Sequence, residues 1–240
     1  MIKFFRNIRM KLASENPADG RAGKASAYLR YAIGEIVLVM IGILLALQVN
    51  NWNELRKQNI AENEFIQGVK NDLIQDKKYI EFILKKTEPK TAAFDLLCEI
   101  DSLKMDSIDK NSIDSLLQIY FSREGARTFY PVSGSFQAAL SGNELNNYKN
   151  KKLTASLIKL YNSTYTRLMD NSRMLNERWD YLRKKYIHQY RTRNFRVTDK
   201  ARLSEVMDDL YYHYLMLQWY RGVLNDARVE IDELLDRSNE

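Results

Sequence analysis

The sequence predicts an all-α protein: one N-terminal transmembrane helix followed by an elongated helical bundle. Three observations carry that prediction. Tyr31 to Val49 is apolar apart from Glu35 and Gln48. The last ninety or so residues contain two long runs of apolar residues spaced 3 and 4 apart, the period of a helix face packed on other helices. Only three Pro and nine Gly occur among 240 residues, too few for the many turns of an all-β fold.

The apolar stretch comes first in the argument because it decides where the protein resides. About 19 helical residues at roughly 1.5 Å each cover about 28 Å, the thickness of the hydrocarbon layer. Tyr31 and Trp52 bracket the stretch, at the depth amphipathic rings prefer. About 30 residues precede it, and its exit, Ala46-Leu47-Gln48-Val49-Asn50, lacks the A-x-A of a cleavage site, so a retained anchor is expected rather than a signal peptide. Residues 1–30 carry seven Lys and Arg against two acidic residues. By the positive-inside rule that places the N-terminus in the cytoplasm and the remainder outside. The expected organisation is a basic tail over 1–30, an anchor over 31–52 and a periplasmic helical domain over 53–240. A cytoplasmic tail of about 30 residues is expected to be too short to hold an output domain.

Within the tail, Ile2, Phe5, Ile8 and Leu12 fall on one helical face, which suits a short helix lying among anionic headgroups. Ser14 to Ser26, with Pro17, Gly20 and Gly23, is expected to loop back into the anchor. Beyond Trp52, Ile66, Val69, Leu73, Ile80 and Ile83 recur at helical spacing, interrupted by Asp76. Pro89 is expected to end that helix, because proline disfavours helical backbone at the preceding residue. Shorter helices follow around Thr91–Leu103 and Ser112–Phe121, the second with Asn111 as N-cap. Arg123 to Val132 is a loop, and Ser133 to Leu140 a short helix stopped at Gly142.

The two strongest seams come last. The first is Leu153, Leu157, Leu160, Thr164, Leu168, Leu175, Trp179, Leu182 and Tyr186. The second is Leu203, Val206, Leu210, His213, Leu217, Tyr220, Leu224, Ala227, Ile231 and Leu234, stepping 3-4 without a miss. A 3.5-residue repeat belongs to helices packed at shallow angles, as in bundles and coiled coils. The single cysteine, Cys98, permits no internal disulfide and is expected to be buried beside Leu97.

Of the overall charge of +6, most sits in the tail, so the basicity reflects topology and not nucleic-acid binding. No nucleophile–base pair, phosphate loop or metal spacing is present. One cysteine and two histidines on different helices make no zinc site. No enzyme activity and no cofactor are therefore expected, and His213 is expected to be a satisfied core or groove histidine. The S-x-x-K matches at Ser107–Lys110 and Ser156–Lys159 lack the accompanying K-T-G on a strand and are attributed to chance.

Two sets of residues stand out for binding. Glu35 is the ionisable residue of the anchor, one turn inside Tyr31, where it either snorkels to the headgroups or serves a proton or ion role. At 100° per residue, Gly42 and Ala46 lie about 20° to either side of it, and Gly42-x-x-x-Ala46 is a small-residue pair that lets membrane helices approach closely. That stripe predicts self-association or pairing with a partner membrane helix. The second set is Arg183, Lys184, Lys185, Arg191, Arg193 and Arg196, interleaved with aromatics over Arg178 to Arg196. In a periplasmic domain nucleic acid is not a partner, so anionic lipid, acidic glycan or a protein surface would meet these cations. Otherwise they form a solvated helix face with Trp179 and Tyr186 in the core.

The opening Y-A-I-G-E-I-V-L-V, then I-G-I-L-L-A-L-Q-V-N-N-W-N-E, preceded by M-I-K-F-F-R-N-I-R, resembles a Bacteroidota family classed as domain of unknown function 6090. The resemblance is close over residues 1 to about 55 and looser beyond, where the helical pattern and Ser141 to Leu145 continue it. It implies an inner-membrane protein of a Gram-negative cell with a periplasmic helical domain, and it implies no activity. Asp101-Ser102-Leu103, Asp106-Ser107-Ile108 and Asp114-Ser115-Leu116 also resemble the acceptor triplet of Bacteroidota periplasmic O-glycosylation. Ordinary helix-cap chemistry uses the same residues. The sequence thus predicts a membrane-tethered interaction or scaffold protein, with a sensory or ligand-binding module as the alternative.

Overall fold

The computed structural model describes residues 21–102, 109–122 and 128–238, with side chains from Leu29 onward in the first segment. The expected headgroup helix over Met1–Leu12 and the Asp106-Ser107-Ile108 triplet lie outside the described residues. Every regular element among the described residues is helical: α1 (Arg21–Ser102), α2 (Lys110–Tyr120), α3 (Gly134–Ser141), α4 (Lys151–Lys159), a π-helical turn (Leu160–Thr164), α5 (Tyr165–Thr192) and α6 (Lys200–Arg237). The all-α expectation holds. The chain divides into two compact units, Met1–Ile60 and Ala61–Glu240.

In the first unit, α1 carries the apolar stretch. It is long and apolar enough to cross a membrane, and none of it is buried within the protein. Ile36, Leu45 and Val49 are more than half exposed.

In the second unit, both long seams are buried. All ten residues of the last seam, Leu203 to Leu234, are inside, and so are all nine from Leu153 to Tyr186. The α1 seam joins them through Val69, Leu73, Ile80 and Ile83, while at its start Phe65 takes the buried position and the expected Ile66 is only partly buried. Each fully buried Leu or Ile contributes roughly 1.5–3 kcal/mol, so these faces together hold the unit. The core forms two apolar clusters. One gathers the N-terminal half of α1's buried face, Phe129, Phe136, the α4–π–α5 start and the C-terminal half of α6. The other gathers Phe94 and Leu97, α2, the end of α5, Phe195, Val197 and the start of α6.

Four expectations need correction: the loop expected over Ser14 to Ser26 is helical from Arg21 onward, so Gly23 does not interrupt α1, and three more concern the later chain. First, α1 does not end at Pro89 but continues to Ser102. A proline inside a helix removes one i→i−4 bond, here the one to the Lys85 carbonyl, and crowds that carbonyl, so contacts on either side of it must hold α1 together. Thr87 Oγ1 donates to the Ile83 and Leu84 carbonyls at 2.9 and 3.1 Å, and Arg221 reaches from α6 to the Leu84 carbonyl at 2.6 Å. Phe94 and Leu97, beyond the proline, are buried in the second cluster, so packing on both sides holds the helix on course. The segment expected as a separate helix over 91–103 is the last part of α1. Second, the N-cap of α2 is Asp109, whose carboxylate accepts the Asn111 N–H at 3.2 Å, and Asn111 lies one residue inside the helix. Third, Cys98 is exposed. Leu97 takes the inward position, and a step of about 100° carries the next side chain out.

The short helix α3 runs to Ser141 with Gly142 as its C-cap, as expected. Its N-terminus has no side-chain cap of its own. Asp72 of α1 accepts the Ser135 N–H at 3.1 Å instead. The approach is close: a Cβ at Gly68 would lie 2.6 Å from Ser135 Oγ and 3.1 Å from its Cβ, so a larger residue there would push the Ser135 side chain aside.

Candidate binding surfaces

The polar interior of the bundle shows what its ionisable groups do. Asp72, Asp76 and Glu62 lie along one face of α1, and each accepts a backbone N–H from the stretch between α2 and α4. Asp76 takes Val132 N–H at 2.8 Å and Tyr165 Oη–H at 2.7 Å, while Glu62 takes Asn150 N–H at 2.9 Å. The interruption in the α1 seam is thus a buried polar anchor, 1% exposed. Burial raises the Asp76 carboxyl to about 6, against the two hydrogen bonds that favour its charge, with Asp72 adding to the rise.

Between the two apolar clusters lies a polar layer. Lys90, 2% exposed, donates to the Tyr120 carbonyl at 2.9 Å, with its ammonium 3.8 Å above the Trp179 ring. Burial lowers its pKa to about 7. His213 Nδ1 and Tyr120 Oη share a hydrogen bond of 2.8 Å, and the imidazole lies 5.2 Å from the Trp179 ring. Burial lowers its pKa to about 3, with Lys90 and Arg178 assisting. His213 is therefore the neutral, satisfied core histidine the seam implied. Its stability contribution is present above pH 6.5 and is lost as pH falls through about 3. Asp76 works the other way, its contribution fading as pH rises through about 6. Among the described residues no group of three His, Cys, Asp or Glu could hold a metal ion.

The predicted membrane stripe is placed on α1, within the apolar stretch. Glu35 and Ala46 are exposed, and a Cβ at Gly42 would meet nothing within 4 Å. The helix is continuous through Asn53, so the stripe extends to that residue. The surface at Gly42 and Ala46 is open to a second helix.

The six cations near the end of α5 are all exposed, while Trp179 and Tyr186 are buried as expected. The structure separates them by partner. Arg183 pairs with Asp180 at 3.2 Å and Lys185 with Asp209 at 2.5 Å. Arg191 lies 3.5 Å from His188 Nδ1. Arg193, in the left-handed region at φ 51°, caps α5, and Arg196 follows at φ 55° in the turn. Lys184, Arg191, Arg193 and Arg196 make no ion pair among the described residues. Arg183 and Lys184 share an open groove of about 450 Å³ with Phe121, Ile187 and Tyr190. Sequence reasoning found the cations. It missed Phe121, which reaches the groove from α2, because nothing local marks that long-range approach.

The acidic triplets are partly engaged in structure. Asp114 accepts the Phe195 N–H at 2.9 Å, and Asp101 accepts the Ser204 hydroxyl at 2.7 Å.

Fold and surfaces together define an all-α protein with one helix fit to cross a membrane and a separate helical unit. Within that class, residues 35–216 match the model of a family described as Family of unknown function (DUF6090), and the chain belongs to that family. The match runs well beyond the opening segment and includes the α5 groove. No curated protein and no solved structure matches the chain.

Proposed function

We propose that this protein is a membrane-tethered, non-enzymatic interaction or scaffold protein of a bacterial inner membrane, with a cytoplasmic N-terminus and a periplasmic bundle. The apolar, unburied stretch of α1 carries this reading, and the cation-rich flank before it supplies the orientation. The bundle's interior polar groups support binding over chemistry, since Glu62, Asp72, Asp76 and His213 are engaged in bonds that position backbone and core. Alkaline phosphatase fused after Glu240 is expected to be active, and a fluorescent protein that matures only in the cytoplasm to stay dark at the same point. The reverse pair of results would invert the orientation.

The partner in the membrane is proposed to be a second copy or another membrane helix, packed on the Glu35, Gly42 and Ala46 stripe. A carboxylate is costly against lipid, and a packed face lowers that cost. In a Cys98→Ser background, Gly42→Cys and Ala46→Cys are expected to crosslink in membranes. Leu44→Cys, on the other side of the helix, is not. Uniform crosslinking at all three positions would exclude the stripe as an interface.

A second reading, a sensory module acting through the span and a partner, is favoured by α1 itself, because the one helix supplies both the span and a core face. A ligand of the bundle that changed Gly42→Cys crosslinking would select this reading over a static scaffold.

A further inference from the structure

The groove between α2 and α5 combines two features that call for one kind of ligand. Its apolar surface comes from Ile187 and the half-buried Tyr190, with the buried Phe121 at its base, and its charge from Arg183 and Lys184. Ile187 is 50% exposed although it is a large aliphatic side chain on a helix whose other outward positions are mostly polar. Residues 183 or 184, 187 and 190 recur at helical spacing, so they line one face of α5 over roughly 10 Å. From Tyr181 to Thr198 the chain carries six cations and no acidic residue. Lys184 makes no ion pair among the described residues, and Arg183 has only the surface partner Asp180. Such an exposed pair adds little to stability, so Arg183 is available to a competing anion. The volume lies within the usual range for small-ligand sites.

We propose that this groove binds a monomeric long-chain anion: an acyl chain laid over Ile187 and Tyr190 above the base formed by Phe121, with its carboxylate or phosphate head held by Arg183 and Lys184. The inference rests on the reading of the bundle as a binding domain and names the chemistry of one ligand. A purely polar anion would leave the apolar floor unused. A neutral lipid would leave two cations unanswered. Arg191, Arg193 and Arg196 lie just beyond the groove in sequence and raise the local concentration of anions around it.

The test uses the full chain in phosphatidylcholine nanodiscs and a diazirine-bearing dodecanoate as probe, with the corresponding alcohol as the uncharged comparison. After illumination, adducts are mapped by peptide mass spectrometry. The dodecanoate is expected to label the peptides containing Phe121, Ile187 or Tyr190, and the alcohol to label them at least tenfold less. The double variant Arg183→Glu, Lys184→Glu is expected to lose that labelling at least tenfold, and Ile187→Glu similarly. All three positions are exposed, so an unchanged thermal transition is expected to show the variants folded. Equal labelling by acid and alcohol, insensitivity to charge reversal, or adducts confined to the apolar stretch of α1 would overturn the proposal. Abolition of wild-type labelling by millimolar inorganic phosphate alone would also overturn it, since the chain would then add nothing. The Gly42→Cys and Ala46→Cys crosslinks are read separately, so loss of groove labelling with those crosslinks intact rejects the ligand and leaves the tethered interaction reading standing.

Discussion

Lys90→Met is expected to stabilise the protein at pH 7 by about 2–3 kcal/mol and to destabilise it slightly at pH 9.5. Lys90 is 2% exposed, and among the described residues no carboxylate bonds to it; its hydrogen-bond acceptor is the Tyr120 carbonyl. Burial lowers its pKa from 10.5 to about 7, although the carbonyl and the Trp179 ring face favour the charged form in part. Between those two pH values the unfolded chain binds more protons than the folded one, so stability rises with pH. At about 1.4 kcal/mol per pH unit, the ionised lysine costs about 4 kcal/mol at pH 7, and about 3 of these are recovered by pH 9.5. Methionine fills a similar volume without the charge but leaves the Tyr120 carbonyl unpaired, a loss of about 1–2 kcal/mol. The two effects cross, which makes the sign of the change depend on pH. Urea unfolding of the full chain in detergent micelles, followed by near-ultraviolet circular dichroism, measures it. The window stops at pH 9.5 because the buried tyrosines, Tyr161, Tyr165 and Tyr186 among them, have raised pKa values. Their contribution is lost only above about pH 10, the unfolded value. A variant less stable than the parent throughout pH 7–9.5 would show that the ammonium is stabilised in place.

Leu217→Asp is expected to cost at least about 4 kcal/mol, whereas Leu215→Asp is expected to stay within about 1 kcal/mol. Leu217 is 1% exposed in the first cluster, among the residues of α1, α5 and α6. The substitution removes a buried aliphatic side chain and places a carboxylate in an apolar cluster. Leu215, two residues earlier on the same helix, is 44% exposed. Thermal or urea transitions of the two variants under identical conditions provide the comparison. Equal tolerance would mean that the 3-4 seam of α6 is not its packed face.

The seams were legible because helical burial is a local, periodic signal. A residue's direction on a helix follows from its number alone once the helix exists, and each position from Leu203 to Leu234 in the predicted seam is buried. The same logic located the lipid-fit stretch and the exposed cations of α5. Cys98 shows the limit: its composition pointed inward, and the angle from Leu97 decided otherwise. Asp76 shows another, since a carboxylate in an apolar seam is an interruption until Val132 and Tyr165 supply its donors.

By itself, the sequence determined the helical class, the stretch fit for a membrane, the inward faces of α4 to α6 and the basic character of α5. These depend on composition and on a period of 3.6 residues, both contained in short windows of chain. The tertiary structure alone decided that α1 passes through Pro89, that Lys90 and His213 form a polar layer between two apolar clusters, and that Phe121 meets Arg183 and Lys184 in a groove. Each of these joins residues distant along the chain. Arg221 ties the stretch of α1 before Pro89 to α6 through the Leu84 carbonyl and the Thr87 hydroxyl, and a local propensity carries no record of a partner more than a hundred residues away.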